Sequence, residues 1–491
     1  MSIVSKSIQI LRMAAAFLLL PLLASSCQWV TDDYDDETAG SSDTNYIKLT
    51  LHVRASAAVT RANPTGGEDG DGREKGIETR ENKVDGVTVI FYQNADGINA
   101  NAASAAATPI DFVAYYETRA DGNAYDRYSG ELCYTTDEQE LDASLDITKT
   151  YHILVVANAD LTGSITTGNA EATSLANVRD MMQISAYTGS GVAVDASKFV
   201  MTSESNEDDV ISFHYSTYDK TTNRRIYTFD NIHIERMAAR IDYWAENSNG
   251  YKTSYATPGY EYTVKKPDGT DSEDRFVLTS ITPFNLNMGT TGNEYLFKRT
   301  NDTTNPYLAD ETITNWVTDP YTSGKNAASH PDWMVSTLTS VVNNLANTYN
   351  ITMASQQANL LSIGNKDDII IAYPRENTLR PNGDSPLYYY ATGLAFEGYY
   401  YRKGTGTGEH RVYYHFIRHQ GEQNDAYDAW TSDNIDNAKT TYCPTTTAMN
   451  FGIVRNNIYR ISVNQVTDGG LLQLRIAVHD WRNVEHPIIY I

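Results

Sequence analysis

Cysteine is scarce in this chain, with three in 491 residues. One of them, Cys27, closes an apolar N-terminal run, which leaves Cys133 and Cys443 far apart in the chain. The two could pair, but nothing else resembles a disulfide framework, so the fold must rest on its core, and both cysteines read as buried small hydrophobes. Basic residues are also in deficit: 38 Lys and Arg stand against 62 Asp and Glu, for a formal charge of −24. That balance excludes nucleic acid and anionic lipid as partners, since both need a basic surface. After the first 26 residues no run approaches the ~18 apolar residues required to cross a bilayer. Catalytic signatures are missing as well. There is no Cys-x-x-Cys and no Gly-x-Ser-x-Gly, and the ten histidines are scattered as surface or strand positions. Asp69-Gly70-Asp71-Gly72 lacks the bidentate acid of a calcium loop. The alternating glycines from Gly404 to Gly408 are followed by neither a helix nor a P-loop lysine, and read as a hairpin turn. No catalytic residue, metal site or cofactor is assigned, and the chain does not read as an enzyme.

What is present begins at the N-terminus. Lys6 and Arg12 precede an apolar run from Met13 to Leu23, and Ala24-Ser25-Ser26 lead to Cys27. A charged start, a short apolar stretch and a small-residue site make a secretory signal over residues 1–26. A cysteine directly after the small residues is the lipoprotein form, in which the Cys27 thiol accepts diacylglycerol and becomes the first mature residue. Residues 27–45 follow as an acidic tether, with Asp32, Asp33, Asp35, Asp36 and Glu37 crowded together and too little apolar surface to fold.

From Tyr46 to Arg54 the pattern changes to a strict period of two. Ile47, Leu49, Leu51 and Val53 alternate with polar neighbours, which predicts a half-buried strand. A Gly-, Asp- and Glu-rich loop over 55–83 comes next. Further strands are predicted at 84–92, 151–158, 210–215, 226–233, 238–244, 369–373, 388–396, 412–418, 459–466 and 471–478. Many of the 35 tyrosines lie in these runs, where they suit a pleated surface. Segment 99–108 reads as a surface loop, and helices are expected at 177–187 and 331–350. The fold class is therefore mainly β: two β-sandwich domains with a few short helices, one over 46–235 and one over 236–491.

Several segments carry a resemblance, in order along the chain. Val454-Arg455-Asn456-Asn457-Ile458-Tyr459 is similar to the V-R-N-x-x-Y strand of the fimbrillin superfamily, the type V pilins of Bacteroidales. Glu235-Arg236-Met237-Ala238-Ala239-Arg240 resembles the family's E-R-x-A-A-R strand, and Tyr373-Pro374-Arg375-Glu376-Asn377-Thr378 matches Y-x-x-E-N-T. Phe199-Val200-Met201-Thr202 resembles the P-M-S/T element, with Val200 in place of Pro. The C-terminal part is most similar to the shaft subunit of the minor fimbrium, and the acidic tether resembles the export signal of Bacteroidales surface lipoproteins.

The resemblance implies transthyretin-like sandwiches and a mechanism. The lipid-anchored precursor would reach the outer membrane and be cut by an Arg-specific protease after its first strand. The departing strand (Ile47, Leu49, Leu51, Val53) would open a groove for the C-terminal strand of another subunit. Here that donor would be segment 471–491, where Leu472, Leu474, Ile476 and Val478 repeat the same alternation. The cut is expected at Arg61–Ala62, in an exposed small and polar loop just past the first strand. The implied partners are other fimbrial subunits, the protease, the outer membrane through the lipid, and a surface receptor. The alternative is a fimbrial tip adhesin or a glycan-binding surface lipoprotein.

Overall fold

The computed structural model describes residues 44–480 apart from 54–80, 82, 98–99, 101, 119–123, 126–131, 144, 180–186, 189–197, 204–209, 285–350, 353–367, 379–391, 418–424, 428–451, 454 and 469–470. The described residues are mainly β, in two large sheets with two short α-helices. The first sheet contains β1 (Thr44–Val53), β2 (Gly86–Tyr92), β3 (Ile110–Glu117), β4 (Ala124–Tyr125), β5 (Leu132–Thr135), β6 (Gln139–Glu140) and β7 (Thr150–Ala157). After a separate two-strand ladder of β8 (Tyr187–Thr188) and β9 (Lys198–Phe199) it continues with β10 (Met201–Ser203), β11 (Val210–Ser212), β12 (Thr217–Asp219) and β13 (Arg224–Arg236). Its main path runs β3-β2-β7-β10-β13-β1-β5-β4.

The second sheet is formed by β14 (Arg240–Trp244), β15 (Tyr251–Lys252), β16 (Gly259–Lys265), β17 (Asp271–Phe284), β18 (Ile351–Thr352) and β19 (Asp368–Ala372). To these it adds β21 (Gly393–Tyr401), β22 (Glu409–Phe416), β23 (Asp425–Tyr427), β25 (Asn457–Thr467) and β26 (Leu471–Asp480), while β20 (Asn377–Thr378) and β24 (Gly452–Ile453) pair by themselves. Its path is β15-β16-β17-β21-β22-β23-β26-β25-β14-β19. Most ladders are antiparallel, but each sheet holds a long parallel pair, β1 with β13 and β14 with β25. Such parallel neighbours join segments remote in sequence, so neither sheet can form from local hairpins alone.

The predicted strands coincide with β1, β2, β7, β11, β13, β14, β19, β21, β22, β25 and β26, their ends moved by a few residues. The expected loop over 99–108 instead contains helix α1 (Ala102–Ala107), with Ala100 and Ala105 fully buried. Alanine is the strongest helix former, and a run of it next to a core collapses into a turn of helix rather than staying open. The helix expected from 177 is α2 (Leu175–Arg179). It opens on a capping box in which the Ser174 N–H donates to Asn177 Oδ1 (2.8 Å) and the Asn177 N–H donates to Ser174 Oγ (3.3 Å). Residues 180–186 and the helix expected at 331–350 lie outside the described residues. The buried apolar side chains form one continuous cluster that runs through both sheets. Cys133 is buried, and Cys443 lies outside the described residues.

Candidate strand-exchange site and the buried junction beside it

Strand β1 is an inner strand of its sheet. On one side it runs parallel to β13, from Thr44 opposite Arg224 to Val53 opposite Ile234, with one register shift between Leu49 and Leu51. On the other it pairs antiparallel with β5 and β6. Because side chains alternate along a strand, Ile47, Leu49, Leu51 and Val53 share one face, and each is 0 % exposed. The backbone is fastened at several points. The Thr44 N–H donates to Asn223 O (2.9 Å), the Leu141 N–H to Asn45 O (2.8 Å) and the Thr136 N–H to Leu49 O (3.1 Å). In return the Leu49 N–H donates to Thr136 Oγ1 (3.0 Å). The Arg224 guanidinium lies 3.9 Å from the centre of the Tyr46 ring, and His52 Nδ1 is 3.2 Å from Cys133 Sγ. Burying four such apolar side chains contributes about 6–12 kcal/mol gross, at ~1.5–3 kcal/mol each.

The expected donor segment is seated in the second sheet. β26 pairs antiparallel with β25 from Leu471 opposite Thr467 to Asp480 opposite Asn457, and with β23 on its other side. Leu472 and Leu474 are buried at 0 % and 2 % exposure, while Ile476 and Val478 are registered with Ile461 and Tyr459. Donation would require this strand to leave its own sheet. Cys27, Arg61, Ala62 and residues 481–491 lie outside the described residues.

Glu81 was not found by sequence reasoning, although it directly follows the 54–80 segment after β1. It is 0 % exposed. Its carboxylate accepts from Arg240 Nη1 (3.0 Å) and from the Tyr373 O–H (2.5 Å), and its carbonyl accepts from Arg236 Nε (2.9 Å). Arg236 also donates from Nη1 to Asn456 Oδ1 (2.8 Å), and Arg240 donates from Nε and Nη2 to Asp242 Oδ2 (3.1 and 2.7 Å). Nearby in sequence, Arg455 Nε donates to Glu376 Oε2 (2.6 Å), both side chains being fully enclosed. Backbone bonds stitch the same place: the Met237 N–H to Val200 O, the Ala239 N–H to Pro374 O and the Asn456 N–H to Ala238 O. The four segments that carry the resemblance therefore converge on one buried polar junction. Burial lowers the Arg236 guanidinium to about 10, partly offset by Glu81. Burial also opposes the charge on Arg240, but Asp242 and Glu81 together hold its pKa above the ordinary value.

The signal for Glu81 was indirect. Arg236 and Arg240, which flank Met237-Ala238-Ala239 between β13 and β14, need carboxylates, because a buried unpaired cation is too costly. That requirement named the type of the missing residue but not its place. The remaining candidate chemistry is thin. His415 is buried in β22, and His419, four residues further on, lies outside the described residues. No group of three or more His, Cys, Asp or Glu that could hold a metal ion occurs among the described residues.

No protein-family model matches the chain, and no curated protein matches it. Solved structures do. The tip fimbrial protein Mfa3 from Porphyromonas gingivalis, with C-terminal truncation, overlaps with a TM-score of 0.40 at 11 % identity, over 89 % of this chain and 100 % of that one. A fimbrial assembly protein from Parabacteroides distasonis overlaps with a TM-score of 0.33 at 12 % identity, over 89 % and 98 %. These structural neighbours are Bacteroidales fimbrial proteins. Overlaps of this size carry no argument about mechanism, which rests on the residues themselves.

Proposed function

We propose that this chain is a structural subunit of a cell-surface fimbrium, exported as a lipoprotein through Cys27, processed after its first strand and polymerised by strand exchange. One observation carries the reading. β1 is an inner strand whose four alternating apolar side chains are all fully buried, yet a single cut between residues 54 and 80 would sever it from the rest of the chain. After that cut β1 is held only by non-covalent contacts. Its loss leaves an apolar slot flanked by the edges of β13 and β5, which an incoming strand of the same alternation would fill by β-augmentation. Exposed edges and apolar slots are poorly tolerated in water, so vacancy and exchange are coupled. Leu472 and Leu474 begin a segment of matching period in the same chain.

The test is to treat the purified precursor with an Arg-specific protease and follow it by negative-stain microscopy and unboiled gel electrophoresis. Filaments and ladders that appear only after cleavage, with the fragment carrying β1 released, are expected. A protein that is cleaved in the 54–80 segment and stays monomeric with β1 retained overturns the exchange mechanism.

A further inference from the structure

One side chain reaches across β1 from the strand on its one side to the segment on its other. Arg224 opens β13 opposite Thr44, and Glu138 directly precedes β6, whose Gln139 and Glu140 pair with Ile47 and Tyr46 on the far side of β1. The outer two of three neighbouring strands stand about 10 Å apart, a gap that an arginine and a glutamate close only by meeting over the middle strand. Arg224 Nη2 donates to Glu138 Oε2 (2.9 Å), and the guanidinium carbon lies over the Tyr46 ring, 3.9 Å from its centre. Arg224 Nε, enclosed at that place, has no hydrogen-bond partner among the described residues.

A second acid stands directly opposite Arg224, and it is engaged elsewhere. Asp219 faces Arg224 from β12, but its carboxylate accepts from the Thr221 N–H (2.9 Å) and the Thr222 O–H (2.7 Å) inside the β12–β13 turn. The same turn sets Asn223 at φ +51°, and the Asn223 carbonyl accepts the Thr44 N–H (2.9 Å). The Tyr227 O–H adds a bond to Asn45 Oδ1 (3.3 Å). The start of β1 is therefore fastened to the body, at the end of the strand remote from the 54–80 segment. Water and salt reach the crossing pair, since the Arg224 and Glu138 side chains are 31 % and 35 % exposed.

We propose that Arg224 and Glu138 form a strap across β1 that delays its departure after the chain is cut, with Tyr46 as the surface on which the strap closes. The inference rests on the strand-exchange reading and adds a timing step to it. Cleavage between residues 54 and 80 frees β1 only at its Val53 end. A strand that peels from there must still open the strap before Thr44, Asn45 and Tyr46 can leave. Both members of the strap belong to the body, so they stay behind and bracket the emptied slot. A half-exposed ion pair and a cation–π contact each shift an equilibrium by up to about fivefold. Loss of the strap should therefore hasten departure by about tenfold.

The test has two arms, both on the full-length precursor. In the uncleaved protein, amide hydrogen exchange reads local opening of β1 and needs neither cleavage nor departure. Arg224→Ala and, separately, Glu138→Ala should raise exchange over residues 44–47 about tenfold, with exchange over 51–53 and the melting temperature kept at the parent values. In protein cut by an Arg-specific protease, release of the β1 fragment is timed by gel filtration and mass spectrometry. Both variants should release it about tenfold faster than the parent. Added NaCl at about 0.5 M should hasten release from the parent and leave the variants unchanged. Arg224→Glu combined with Glu138→Arg, which restores the crossing charges, should release more slowly than Arg224→Glu alone. Unchanged exchange over 44–47 in both alanine variants overturns the strap, and so does equal release from parent and variants. A fragment retained by every cleaved protein overturns the strand-exchange reading instead, and the exchange arm then decides the strap by itself.

Discussion

Glu81 holds three donors at once, and that makes it the most consequential single residue of the described structure. Its carbonyl and carboxylate are shared between Arg236 at the end of β13, Arg240 at the start of β14 and Tyr373 just after β19. Removing the acid from this arrangement strands a buried guanidinium, and breaking a buried pair typically costs about 3–5 kcal/mol. Glu81→Ala is therefore expected to lower stability by about that amount in urea unfolding, while Arg61→Ala leaves it unchanged. A Glu81→Ala protein as stable as the parent would mean that Arg240 is satisfied by Asp242 alone. The residue also marks a limit of sequence reading. Glu81 stands in a stretch rich in Gly, Asp and Glu, where composition announces a solvated loop, and only its distant partners give it another role. The apolar members of β1 needed no such partners to be recognised.

At the scale of elements, legibility followed periodicity. β1 and β26 alternate strictly, one face apolar, so their existence and inward face were readable from the residues alone. β17 was not, because it starts as Asp271-Ser272-Glu273-Asp274 and turns apolar only at Phe276. Helix α1 was hidden by the reverse effect, a small-residue run whose burial comes from its neighbours. What alternation cannot reveal is which sheet a strand joins. β1 and β26 have the same pattern, yet β1 completes the first sheet and β26 fills an inner place in the second. If β26 is the donor, it must detach from β25 before it can serve another subunit. Ser462 and Arg475 are directly opposed across that pair, within the separation a disulfide spans. The variant Ser462→Cys with Arg475→Cys, oxidised, is expected to be cleaved normally by the protease but to form no filaments, and reductant should restore them. Filaments from the oxidised protein would place the donor outside residues 471–480.

For the whole molecule, the decisive question is which covalent bond separates β1 from the body, and the fold narrows the choice. A protease must draw several residues on each side of the scissile bond into an extended, accessible form. Cleavage after Arg54 would engage Val53, which is fully buried and paired with both β13 and β5. Cleavage after Arg80 would engage Glu81, which is fully buried and bonded to Arg236, Arg240 and Tyr373. One end of the connecting segment is thus tied into the first sheet and the other into the junction with the second, and Arg61 and Arg73 remain. Thr60-Arg61-Ala62-Asn63 sets small and polar residues around the bond, whereas Arg73 is ringed by Asp71, Glu74 and Lys75, so Arg61–Ala62 is the better substrate. Cutting there also leaves the Glu81 junction intact, so that the body keeps its shape while the β1 slot is emptied. Amino-terminal sequencing of mature surface protein is expected to begin at Ala62, and Arg61→Ala should shift processing to Arg73 or delay filament growth. A start at Glu81 would show that the junction opens before cleavage, and polymer that still begins at Cys27 would mean that β1 never leaves.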